Sequence, residues 1–345
     1  MVIRRTLPSN RNQALYGVAR TRAIELQAAA TLPAHTLMTR AGLATAAVAV
    51  SAAATAVWVE RRSRRAEREH PPTGKFIDVD GVCLHYVEKG EGPPVVLVHG
   101  NALSLVDFQA SGLFDRLAAH HRVIAFDRPG FGHSTRPRDR LWTPAAQAEL
   151  LYAALALLGV ERPAIVGHSM GATVAVAWAL AHPDDVRSLV LLAGYYYPTL
   201  RVDALLTAPV ALPVLGDAMR YTVTALSARA LLGPMMKATF APRDIPPDFF
   251  PRLSREMLLR PSQLRASAED AAFMMPSAAG LADRFGELRL PVTIYAGADD
   301  KVVAAAQAER LHRDVPQSEL VVLPGVGHMV HYAAPERIAA ALAGG

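Results

Sequence analysis

The chain carries a single cysteine, Cys83, among 345 residues. An internal disulfide framework and a multi-cysteine zinc site are therefore excluded. Charged residues make up 19%, too few for a coiled coil or a long solvated helix. The first 70 residues contain no lysine, and residues 41–59 (AGLATAAVAVSAAATAVWV) contain no charge of either sign. No internal repeat is found, and low complexity is confined to that alanine-rich run. Hydrophobic residues reach 51%, which excludes a chain that is disordered throughout.

A net charge of +5 and a pI near 9.5 would suit a nucleic-acid-binding protein if the charge were spread over the fold. It is not. Residues 1–70 hold 11 Arg and 4 Glu, a net of +7, which leaves −2 for residues 71–345. The body offers no electrostatic case for nucleic acid.

The basic arm surrounds the uncharged run. Nineteen helical residues span about 28 Å, close to the thickness of a bilayer core. Trp58 suits the interface, and Arg61, Arg62, Arg64 and Arg65 suit the headgroups beyond it. The expectation is a transmembrane anchor at 41–59, between an N-terminal arm (1–40) and a basic linker (60–74). A soluble alanine-rich helix and a cleaved signal are the alternatives. A cleaved signal has its apolar core nearer the start and a small-residue cleavage site. Arg and Lys are in excess after the span, which favours an inner, cytoplasmic membrane with the following domain on the cytoplasmic side.

From Lys75 the pattern changes. Lys75–Asp78 and Val82–Val87 are strand-like and joined by Asp80-Gly81, a hairpin signal. Pro94–Val98, Arg122–Phe126, Pro163–Val166, Val186–Leu192, Val292–Tyr295 and Leu320–Leu323 are short apolar runs, of the kind buried on both faces of a sheet. Helical stretches near 105–120, 144–158, 170–181, 304–313 and 335–342 alternate with them. This predicts an α/β fold: an eight-stranded, mostly parallel sheet covered by helices on both faces, with an antiparallel opening hairpin. The alternation stops over 197–288, where ten of the 25 prolines fall. Such density predicts short, kinked helices, read here as a helical lid inserted into a core of residues 75–196 and 289–345. Its methionines, Met235, Met236 and Met274 among them, suit both a small core of its own and an adaptable cover over a pocket.

Gly167-His168-Ser169-Met170-Gly171 falls between the apolar run PAIV and the helix-length ATVAVAWAL. A serine at so sharp a strand-to-helix turn exposes its hydroxyl at a helix N-terminus, where negative charge is favoured. The flanking glycines remove side chains that would collide. The plainer reading is a serine in an ordinary turn. A serine nucleophile needs a base. His328 follows the strand Leu320–Leu323 in a Gly-rich loop and is the expected base, with His331 as its rival. His168 is expected to point elsewhere, and His99 and His133 to be structural. The imidazole needs an orienting carboxylate. Asp300 is expected to supply it, with Asp299 as a turn residue. The oxyanion calls for two backbone N–H donors: that of Met170, and one from the loop His99-Gly100-Asn101. No His, Cys or carboxylate spacing suggests a metal, and no cofactor is expected.

From Lys75 to the C-terminus, about four fifths of the chain, the sequence resembles the α/β-hydrolase superfamily. The branch is the lid-bearing one of esterases, haloperoxidase-like perhydrolases, epoxide hydrolases and C–C bond hydrolases. Five motifs carry the resemblance: Val96–Asn101 (VLVHGN), Asp127–Ser134 (DRPGFGHS), Gly167–Gly171 (GHSMG), Gly297–Val303 (GADDKVV) and Gly327–Arg337 (GHMVHYAAPER). It implies Asp300 as the acid, His328 as the base and Asn101 as the donor that joins Met170 at the oxyanion. It makes Arg128 and His133 parts of a structural turn. Residues 1–74 lie outside it. Haloalkane dehalogenases and epoxide hydrolases are known for an aspartate at the elbow, often followed by tryptophan; here the pair is Ser169-Met170.

The expected activity is therefore that of a serine hydrolase, cleaving carboxylic esters of a small apolar substrate through an acyl-enzyme. Perhydrolysis, thioester hydrolysis, acyl transfer and C–C hydrolysis use the same parts and stay open. From a different class, so does a catalytically inert, membrane-held binding protein. Tyr195-Tyr196-Tyr197 either line the pocket or pack the hinge of the lid.

Overall fold

The structure, a computed structural model, describes residues 34–343. The expected arm 1–40 lies outside the described residues up to position 33. The chain divides into a first unit ending at Thr55 and a second beginning at Ala56. In the first, residues 34–55 are helical, and from Thr39 on their side chains are largely open to solvent. The helix Ala34–Glu69 runs through both units, so residues 60–69, expected as linker, are helical instead. The ion pairs Glu60–Arg64 (2.6 Å) and Arg65–Glu69 (2.7 Å) have the spacing that supports a helix. Pro71-Pro72 then end it.

The second unit is built on one eight-stranded sheet. The strands are β1 (Lys75–Val79), β2 (Val82–Lys89), β3 (Pro94–Val98), β4 (Arg122–Phe126), β5 (Ala164–His168), β6 (Ser188–Leu192), β7 (Val292–Gly297) and β8 (Glu319–Leu323). Their spatial order is β1-β2-β4-β3-β5-β6-β7-β8. β2 pairs antiparallel with β1 and β4; the other pairings are parallel. In β3, Val95 to Val98 are completely buried, because a parallel strand in mid-sheet has helices on both sides. Val96 and Val98 join Val174 and Trp178 of the helix Met170–Ala181 on one face. Val95 and Leu97 join Phe108, Leu117 and Ile338 on the other. Each such side chain contributes about 1.5–3 kcal/mol by leaving water.

Two local differences have simple causes. The single helix expected at 105–120 is two, Val106–Ala110 and Leu113–Ala118, broken where Gly112 takes φ 78°. The lid helices are longer than its proline content predicts: Val223–Phe240 and Pro261–Ala282 contain Pro234 and Pro276. Both prolines, and the residues Ala230 and Ala272 whose carbonyls lose a partner, lie on exposed faces. Water can satisfy those carbonyls, so the helices continue.

The parallel arrangement puts the C-terminal ends of β3, β5, β7 and β8 at one edge of the sheet. That is where an open α/β sheet binds ligands, and it is where His99–Asn101, Ser169, Asp300 and His328 fall.

Candidate active site

Ser169 links β5 to the helix Met170–Ala181 with φ 52° and ψ −116°. A non-glycine residue there costs of the order of 1–3 kcal/mol, so its surroundings must hold it. Its N–H donates to the Leu192 carbonyl of β6 (2.8 Å), and its own carbonyl accepts from Ala172 N (3.0 Å). The two motif glycines are sterically required. A Cβ on Gly171 would stand 2.0 Å from the Val98 carbonyl oxygen, and one on Gly167 2.4 Å from that of Gly171.

Asp300 and His328 meet across the ends of β7 and β8. Asp300 Oδ2 lies 2.7 Å from His328 Nδ1. Asp300 Oδ1 accepts from the N–H groups of Val302 (2.7 Å) and Val303 (2.9 Å). A carboxylate only accepts, so Nδ1 carries a proton, the tautomer that in a neutral ring leaves the lone pair on Nε2. Asp299 is a turn residue: its carboxylate accepts from Gly325 N at 3.0 Å. His331, the rival base, is turned inward. It is completely buried, and its Nε2 bonds Asp107 Oδ2 at 2.8 Å.

Ser169, His328 and Asn101 line one cavity of about 610 Å³. Its walls are mainly apolar, with Leu103, Met235, Met236, Met274 and Val303, and it also takes in Arg201 and Lys301. Tyr195 is part of the wall, whereas Tyr196 and Tyr197 pack. Their N–H groups both donate to Gln307 Oε1, at 2.9 and 2.7 Å. The tyrosine triplet thus divides between the two roles expected of it.

The loop His99-Gly100-Asn101 is held from behind. The guanidinium of Arg128, completely buried, donates to the carbonyls of His99 (2.8 Å) and Gly100 (3.0 Å) and pairs with Asp270 of the lid at 2.5 Å. His99 Nδ1 lies 2.7 Å from the Gly100 carbonyl, and His99 Nε2 accepts from Arg128 N at 2.9 Å. The Gly100 carbonyl and the Asn101 N–H share one trans peptide, so fixing the first backward aims the second forward. Burial, and then the nearby Arg128 charge, push His99 down to about 4. It is neutral, with its proton on Nδ1. The sequence identified Arg128 and His99 as structural; their grip on this loop was legible only once the loop and turn were brought together.

Behind His328 lies a second buried group that the sequence did not reveal. Asp107, His168 and His331 bring donor atoms within 4.8 Å of one another. They are metal-ligand types, but they come from three separate elements, so no spacing pointed to them. Asp107 is already engaged by His331 and by Tyr332 Oη (2.9 Å). His168 Nε2 donates to the His328 carbonyl at 3.2 Å. Burial, then the neighbouring His331 and His328, hold His168 well below the ordinary imidazole range. Of the three, His168 braces the main chain of His328.

The alpha/beta hydrolase fold family matches residues 93–335. The chain belongs to that family. A 2-hydroxymuconate semialdehyde hydrolase from Pseudomonas putida is 30% identical over 283 residues, covering 79% of this chain and 94% of its own. A 2-(acetamidomethylene)succinate hydrolase from Mesorhizobium japonicum is 30% identical over 268 residues, covering 75% and 90%. Among solved structures, a thermophilic esterase from Thermogutta terrifontis superposes with a TM-score of 0.63 at 24% identity, covering 79% and 97%; it shares the fold. The two relatives named from sequence are both hydrolases, with different substrates in their names.

Proposed function

We propose that the protein is a serine hydrolase that cleaves the carboxylic ester of a small apolar molecule, held at a membrane by residues 41–59. The observation that carries this reading is the Asp300–His328 bond of 2.7 Å opening beside Ser169 in a largely apolar cavity. In this mechanism Ser169 Oγ attacks the acyl carbonyl and His328 Nε2 takes its proton. Asp300 fixes the tautomer and stabilises the imidazolium. The N–H groups of Asn101 and Met170 receive the oxyanion, each contributing about 2.7–4 kcal/mol to the transition state. His328 then protonates the leaving alcohol, and water attacks the acyl-enzyme by the same route.

The test is Ser169→Ala. It is expected to abolish hydrolysis of p-nitrophenyl esters and labelling by a fluorophosphonate probe, with folding unchanged. Retained labelling would remove Ser169 from the mechanism. A second reading, C–C bond hydrolysis, is favoured by the Pseudomonas putida relative and by Arg201 and Lys301 at the cavity, which suit an acidic substrate. Faster turnover of an acidic vinylogous diketone than of any ester would establish it.

A further inference from the structure

The lid exposes apolar surface of a kind soluble domains avoid. Among the described residues from 56 onward, sixteen large apolar side chains are exposed, and ten of them fall within 200–235. Outside the lid and beyond Val57-Trp58, the others (Phe76, Leu141, Leu157 and Val322) are scattered singly, which is normal for a surface. Those in the lid crowd the helices Val202–Ala211, Leu215–Arg220 and Val223–Phe240. In the last, Val223, Leu226 and Leu231 point outward while Ala225, Leu232 and Met236 point inward. Residues 204–228 contain one acid and one base, Asp217 and Arg220. Asp217 is neutralised further by Arg138 Nη1 at 2.9 Å. A grouped apolar face of this kind marks an interaction site.

Two more observations identify the partner. First, the segment Ala56–Glu69 is seated on this lid. Val59 and Ala66 are buried; Arg229 of the lid stacks on Trp58 at 4.7 Å; Arg62 pairs with Glu256 at 2.8 Å, and Glu67 with Arg260 at 2.8 Å. Residues 41–55 directly precede that segment in the chain, so a membrane span there would tether the lid to the bilayer. Arg61, Arg64 and Arg65 are exposed there and suit anionic headgroups. Second, Leu200 and Met235 belong both to the exposed face and to the wall of the Ser169 cavity. The cavity therefore opens onto the apolar face.

We infer that the lid face formed by residues 200–235 lies in the headgroup–acyl boundary of an anionic bilayer, and that substrate reaches Ser169 from the lipid phase. The substrate class is then an apolar ester that partitions into the membrane. This inference rests on the proposed function, both for Ser169 as nucleophile and for residues 41–59 as a membrane span.

The full-length chain tests it, with Cys83→Ser and Leu206→Cys, an environment-sensitive fluorophore at 206, and vesicles of phosphatidylcholine and phosphatidylglycerol containing brominated lipid. A matched chain carries Leu157→Cys, exposed but far from the lid in sequence. Quenching at 206 is expected to exceed that at 157 several-fold. Equal quenching in chains that sediment with the vesicles overturns the lid placement alone. Chains that fail to sediment overturn the span as well.

A second measurement uses L206E/L215E/L226E. It is expected to keep p-nitrophenyl acetate hydrolysis and lose vesicle-borne p-nitrophenyl palmitate hydrolysis several-fold; unchanged palmitate turnover overturns the inference. A failure of the Ser169 reading looks different: neither ester is cleaved by the parent chain, while quenching at 206 persists.

Discussion

His99 ties stability to pH with a sign that can be worked out. The folded protein holds it neutral, pushed down to about 4 by burial and by Arg128, whereas a histidine in the unfolded chain titrates near 6.5. As pH falls below about 6.5, the unfolded chain gains a proton that the folded one refuses. Stability is complete above that point and is lost as pH falls toward 4. Between pH 7 and pH 5 the loss from His99 alone is about 2 kcal/mol. His168, also held low by burial, adds to it in the same direction. Asp127 is shifted below the usual carboxylate range despite its burial, by His85 above all, and its contribution disappears only at more acid pH. The window from 7 to 5 therefore reports histidines. Urea unfolding of the full chain in detergent at the two pH values measures the drop. His99→Asn, which cannot titrate, is less stable at pH 7 because it gives up the bonds to Arg128 N and the Gly100 carbonyl. Its drop from pH 7 to 5 is nonetheless expected to be smaller than the parent's by about 2 kcal/mol. An equal drop in both proteins would refute the buried neutral His99.

Three further outcomes follow from the geometry. Asp300→Asn keeps the bonds from Val302 and Val303 but presents Nδ1 with the wrong partner, so kcat for p-nitrophenyl butyrate is expected to fall about 10³–10⁴-fold with the melting temperature little changed. Gly171→Ala places a Cβ 2.0 Å from the Val98 carbonyl oxygen and is expected to destabilise by about 3 kcal/mol or not to fold at all, read by urea unfolding and soluble yield. Arg128→Met leaves Asp270 buried against Arg136 and Gln147 alone, with an expected loss of about 3–5 kcal/mol in thermal unfolding.

The sheet was legible because parallel strands buried on both faces are written as unbroken apolar runs. Pro94–Val98 and Pro163–Val166 have no polar side to confuse the reading. The places of Ser169, Asp300 and His328 at the sheet edge were legible for a related reason: each lies within five residues of the end of such a run. The helix Ala34–Glu69 outruns the expected span, since Glu60–Arg64 and Arg65–Glu69 support it through residues that Pro71-Pro72 and Gly74 mark as a linker. What could not be read was contact between distant loops. Arg128 meets Asp270, and His331 meets Asp107, across more than a hundred residues. The apolar lid helices illustrate a different limit. Leu206 and Leu226 look like core in a hydropathy pattern, and only the packing of the lid shows them facing out.

The two sides of the lid are built to different tolerances. The helix Pro261–Ala282 is bonded to the loop that carries Asn101: Gln263 Nε2 donates to the carbonyls of Ala102 (3.3 Å) and Leu103 (3.2 Å), Asn101 Nδ2 donates to that of Ser267 (3.1 Å), and Asp270 holds Arg128. The same helix supplies Ala271 and Met274 to the cavity wall. That wall and the proposed oxyanion donor are therefore one mechanical piece, fixed by neutral hydrogen bonds and one buried charge pair. Leu200 and Met235 of the same cavity are apolar and exposed. Dispersion contacts there are individually weak and exchangeable, and a methionine repacks around varied shapes. On the proposed mechanism, a substrate displaces Met235 on entry without moving Asn101, so acyl groups of different bulk meet the same oxyanion geometry. On that proposal, breadth of substrate is assigned to one wall of the cavity and catalytic precision to the other.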